Sequence, residues 1–119
     1  MFVKSLSDCP PLVANDGCML RELLHPKNDP IALPYSLAIA EVAVGEHSYR
    51  HRLAQDEVYY VIEGRGLMHV DDTTREVVVG DAIFIPAGAV QWIENLGAGT
   101  LRFMAVVSPP WREEDDERL

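Results

Sequence analysis

From position 45 onward the chain is cut by turn-forming residues at short, fairly even intervals. Gly45, Gly64-Arg65-Gly66, Asp71-Asp72, Gly80-Asp81, Pro86-Ala87-Gly88, Asn95 and Ser108-Pro109-Pro110 mark the breaks. Between them lie short segments rich in β-branched, aliphatic and aromatic residues: His47 to Leu53, Glu57 to Ile62, Leu67 to Val70, Arg75 to Val79, Ala82 to Ile85, Val90 to Glu94 and Leu101 to Val107. None is long enough to make a helix that buries one face, whereas each matches a strand of ordinary length. Strands repeating about every 8–12 residues with turn signals between them predict an all-β sandwich or barrel. No long helical pattern alternates with them, which disfavours a parallel α/β sheet.

The upstream third fits the same class less regularly. Tyr35 to Val44 is apolar, partly alternating and closed by Gly45. Leu20, Leu23 and Leu24 fit one helical turn, but Pro26 stops it, so Cys18 to Leu24 is read as a strand. Residues 26–34 hold Pro26, Pro30 and Pro34 and form a loop. Residues 1–17 read as an N-terminal arm. The 119 residues make one domain, 1–119, with no room for a second core.

Charge narrows the partners. The formal net charge is −9. Residues 112–119 hold five acids and two Arg, a net −3, which leaves −6 for residues 1–111. An acidic body repels phosphate backbones, so no nucleic-acid partner is expected. The acidic tail reads as a solvated end. No apolar run approaches the roughly 18 residues of a membrane span, and the N-terminus lacks the apolar stretch of a secretory signal, so no membrane partner and a cytoplasmic location are expected. Cys9 and Cys18 are too few for a disulfide framework and read as ordinary residues.

Two stretches carry a specific resemblance. Gly45, His51, Leu53, Glu57 and Gly64 resemble the first motif of the cupin family, with Leu53 where the family has a second His. Gly80, Pro86, Gly88, Gln91 and Asn95 resemble the second motif, with Gln91 where the family has a His. The 15 residues between Gly64 and Gly80 are similar to the short spacing of small microbial cupins. The resemblance implies a double-stranded β-helix, or jelly-roll barrel, and, as many members of the family dimerise, a homodimer is expected. The glycines suit corners that need positive φ, and Asn95 suits a side chain bonding its own turn.

By the same resemblance a divalent metal ion (Mn, Fe, Zn or Ni) would be held by His51, Glu57 and Gln91, with Leu53 unable to coordinate. His47 or His69 could supply a missing nitrogen. Alternation along the strand puts Leu53, Tyr49 and His47 on the face of His51; Tyr49, Leu53 and Tyr59 are the expected substrate-binding residues, and the tyrosines have an alternative reading as aromatic fillers. Without a metal, a buried Glu57 needs protonation or a partner, and Arg102 is the candidate. Trp92 should face away from the interior and could serve dimerisation; Trp111 could pin the tail. The expected function is an enzyme binding a metal and a small polar organic ligand, with isomerase, lyase or dioxygenase chemistry open. The alternative is a metal-free barrel that binds or senses a small molecule without turnover.

Overall fold

The computed structural model describes residues 1–119. A 3-10 turn at Leu6–Asp8 precedes β1 (Leu12–Val13), β2 (Met19–Leu24), β3 (Ser36–Val42), β4 (His51–Leu53), β5 (Asp56–Glu63) and β6 (Arg65–Val70). Then come β7 (Thr73–Val78), β8 (Ala82–Ile85), β9 (Val90–Asn95), β10 (Leu101–Ser108), a second 3-10 turn at Glu113–Asp115, and β11 (Asp116–Arg118). They form two antiparallel sheets, one in the order β1-β2-β3-β10-β5-β8 and the other β11-β4-β9-β6-β7. The all-β expectation holds. No helix is long and apolar enough to cross a membrane.

The register follows the alternation written in the strands. Along β10, Leu101, Phe103, Ala105 and Val107 turn inward while the residues between them are less buried. β9 buries Gln91, Ile93 and Asn95 in the same way. Val61, Ile85, Ile93, Leu101 and Phe103 are each at most 1% exposed and fill the space between the sheets. Each such side chain contributes roughly 1.5–3 kcal/mol by leaving water. The Tyr59 and Phe103 rings pack with centroids 4.3 Å apart.

Corner residues do what their types allow. Gly64 has φ +82°, and a Cβ there would lie 2.7 Å from the Thr100 carbonyl oxygen, so any side chain would clash with backbone. The Asn95 amide donates to the carbonyls of Gly99 (2.8 Å) and Val42 (3.0 Å) and accepts the Gly97 N–H (2.8 Å), tying its own turn to β3.

Several expectations are corrected. Residues 112–119 are not simply a solvated end: β11 pairs with β4, placing Asp116 opposite Leu53, Glu117 opposite Arg52 and Arg118 opposite His51. Hydrogen bonds from Ala54 N–H to Asp115 O and from Leu119 N–H to Arg50 O, both 2.9 Å, extend that pairing. The N-terminal arm also enters the sheet, through β1 on β2. The strand expected over His47 to Leu53 is regular only from His51; His47 makes a single bridge to Glu94. Arg102 does not reach Glu57: its guanidinium bonds Glu41 (2.7 Å) and lies 3.8 Å from Glu63. Both cysteines are free and buried.

Candidate functional site

A cavity of about 440 Å³ opens between the sheets. Its lining is mostly apolar and includes Leu53, Tyr59 and Phe103, with the polar side chains of Asp16, His51, Glu57 and Asp116 among them. These four arrive from distant parts of the chain. His51 begins β4 and sits opposite Gln91 on β9. Glu57 and Tyr59 lie two apart on β5 and so share a face. Asp116 opens β11. Asp16 is set by a tight turn: its carboxylate accepts the Cys18 N–H (3.0 Å), and Gly17 follows at φ +87°.

Gln91 works as a clasp between the sheets. Its amide nitrogen donates to Glu57 Oε1 (2.8 Å), and its Oε1 accepts the Tyr59 hydroxyl (3.0 Å). Both partners belong to the opposite sheet, so the three side chains satisfy one another across the interior.

His51 makes one hydrogen bond, from ring Nδ1 to Asp116 Oδ1 (3.1 Å). Its Nε2 is buried with no hydrogen-bond partner and lies 3.5 Å from Asp16 Oδ2. The other oxygen of Asp116 accepts the Trp111 indole N–H (3.1 Å), so Trp111 does anchor the C-terminal segment. An imidazole fixed at one nitrogen by a carboxylate and open at the other is oriented to exchange a proton with whatever occupies the cavity.

The electrostatics follow from burial and from this pairing. Burial pushes the Glu57 carboxyl up to about 7, against the opposing Gln91 hydrogen bond and the neighbouring His51. Burial likewise holds the Tyr59 phenol well above its usual range, with the Glu57 charge adding to it. For His51, burial lowers the value, but the hydrogen bond to Asp116 and the charges of Asp16, Asp116 and Glu57 outweigh it, and the net shift is upward. Asp116 mirrors this: burial raises it, and the His51 hydrogen bond and charge bring it below the ordinary carboxylate value.

The expected metal ligands meet a test of fit here. His51, Glu57 and Gln91 all line or border the interior, each at most 7% exposed. The Gln91 oxygen, however, is taken by Tyr59, and its nitrogen is turned to the carboxylate. Leu53 offers no donor. His47 and His69 supply none either: they flank Trp92, His69 stacked at 3.7 Å and His47 edge-on at 5.6 Å. Asp16, His51, Glu57 and Asp116 share the cavity, but no three of them stand grouped as ligands of one ion. The residues in this arrangement do not fit a divalent centre, because a hydrogen-bonded amide and a leucine stand where donors are needed.

The remaining expected residues divide. Leu53 and Tyr59 line the cavity. Tyr49 is 45% exposed and lies under the Arg118 guanidinium, 3.5 Å from its ring centroid. His47 is exposed as well. Alternation from His51 does not carry back to them because the backbone between His47 and His51 is irregular. Trp92 is half-buried under the histidines on its flanks. Sequence reasoning missed Asp16 and Asp116. Asp16 sits in an Asp-Gly turn of the arm and Asp116 in a run of acids, and neither context marks a site.

Comparisons with known proteins give the same outline. A family model described as "Cupin domain" matches residues 38–107. An uncharacterised protein of Methanocaldococcus jannaschii is 42% identical over 110 residues, 92% of this chain and 87% of that one. An oxalate-binding protein of Thermotoga maritima is 32% identical over 65 residues, 55% of this chain and 51% of that one. Among solved structures, the polyketide cyclase RemF from Streptomyces resistomycificus superposes with a TM-score of 0.82 at 23% identity, covering 100% of this chain and 85% of that one.

Proposed function

Since the chain belongs to the cupin domain family, whose barrel places its ligand-facing residues between the sheets, we propose that it binds a small organic molecule in that cavity and moves a proton on it through His51. The observation that carries this is the buried, unpartnered Nε2 of an imidazole held at Nδ1 by Asp116. The role is general acid–base catalysis. His51 takes a proton from one ligand atom, Asp116 stabilises the imidazolium that forms, the Glu57 carboxyl gives a proton to a second atom, and proton exchange with solvent then returns His51 and Glu57 to their starting states. The sum is an isomerisation that needs no co-reactant. Burial suits Glu57 to this, since it keeps the carboxyl partly protonated near neutrality. No step is assigned to a metal.

The test uses 5-nitrobenzisoxazole, a neutral aromatic molecule whose ring opens when a base removes its C–H proton, a change followed by absorbance. The wild-type protein is expected to accelerate ring opening, and His51→Asn to slow it by about 100-fold, within the range of acid–base contributions. Equal rates in the two proteins overturn the assignment of His51. Loss confined to Glu57→Gln transfers the base role to Glu57. Binding of the probe with no ring opening favours the second reading, a barrel that captures its ligand without turnover. Elemental analysis of the protein before any chelator checks the metal directly: stoichiometric metal that disappears in Glu57→Gln would overturn the metal-free site.

A further inference from the structure

The cavity has an uneven chemistry. Its lining includes the carboxyl groups of Asp16, Glu22, Glu57, Glu113 and Asp116, and no Lys or Arg. Glu22 is already paired, with Lys27 Nζ at 3.0 Å and Asn28 Nδ2 at 2.9 Å. His25 brings no positive charge: its Nδ1 accepts the Lys27 N–H (3.1 Å), so its Nε2 carries the proton and donates to the Trp111 carbonyl (2.8 Å). Glu113 is exposed, so the inner group is Asp16, Glu57 and Asp116 around His51. A doubly protonated His51 offsets one charge and the Glu57 carboxyl is ionised only in part, which still leaves the group negative.

Two further observations point to a ligand at this place. The first is the unpartnered Nε2 of His51, on a side chain 5% exposed. The second is the apolar remainder of the lining, which suits a hydrocarbon body. A cavity walled by apolar groups and charged with one sign concentrates ligands of the opposite sign.

Building on the proposed function, we infer that the cavity selects an organic cation: an ammonium group on an apolar body, the charged end held by Asp16 and Glu57 and the body against Leu53, Phe103 and Trp111, while Asp116 stays engaged with His51 and Trp111. The same arrangement rejects small carboxylates, because they would enter beside other carboxyl groups with no guanidinium or ammonium to receive them.

Three isosteric probes separate the charge from the cavity: benzylamine, benzyl alcohol and benzoate, with oxalate as a dianion control, each titrated by calorimetry near neutral pH. Benzylamine is expected to bind about tenfold more tightly than benzyl alcohol, and benzoate and oxalate more weakly than either. Asp16→Asn keeps the oxygen that accepts the Cys18 N–H, and Glu57→Gln keeps an oxygen for Gln91; both should fold, as circular dichroism will check, and both should shrink the benzylamine preference. Benzoate or oxalate binding as tightly as benzylamine overturns the inference, as does a preference unchanged in both variants. Equal binding of benzylamine and benzyl alcohol rejects the charge selection while leaving the cavity as a binding site. Binding of none of the four overturns the inference and the proposed function together.

Discussion

Glu57 is a buried carboxyl clasped by an amide where a cation would have neutralised it, and its cost therefore depends on pH. Its folded value of about 7 lies above the ordinary 4.5. The unfolded chain thus ionises first as pH rises, and folding loses stability between those two values. Glu57→Gln removes that loss while keeping an acceptor for Gln91. Chemical denaturation should find the variant more stable than wild type by about 2–3 kcal/mol near pH 8.5, and the gap largely closed near pH 5. His51 acts in the same direction, since its raised value makes its contribution full at low pH and lost as pH climbs through the folded value. Asp116 opposes only at the acid extreme, where its lowered value is crossed. At this scale the sequence was informative about which positions matter: the family resemblance put His51, Glu57, Leu53, Tyr59 and Gln91 at the interior. It could not show that Gln91 faces a carboxylate and a phenol, because a glutamine can donate or accept and only its neighbours decide which.

At the scale of elements, strands with strong local signals were legible. Glu57 to Ile62, Ala82 to Ile85, Val90 to Glu94 and Leu101 to Val107 fall within β5, β8, β9 and β10, because β-branched residues bounded by Gly, Pro and Asn fix both type and limits. Strand β11 was not legible. Five consecutive acids carry no strand propensity, and the segment is ordered by β4, more than sixty residues away, and by the Asp116 contacts to His51 and Trp111. The consequence is measurable. Removing residues 112–119 strips β4 of a neighbour and leaves His51 Nδ1 unpaired, so the loss should reach about 2–4 kcal/mol and lower the melting temperature by roughly 10 °C. A calorimetric scan of the truncated chain showing an unchanged melting temperature would mean that β11 contributes nothing.

Across the whole molecule the charge balance is lopsided, at −9 over 119 residues. Self-repulsion of that kind weakens a compact state and is screened by salt. Thermal denaturation near neutral pH should show the melting temperature rising by a few degrees between low salt and about 0.3 M sodium chloride, and rising less near pH 5, where some carboxylates are neutral. The meeting of early and late segments at His51 has a further implication for how the protein is made. Asp16 and Asp116, a hundred positions apart, stand on either side of one imidazole. During synthesis the early strands emerge first, yet a nascent chain whose residue 116 has not emerged has only half of that carboxylate pair. Competence for the ligand should therefore appear only once residue 116 clears the ribosome and can dock.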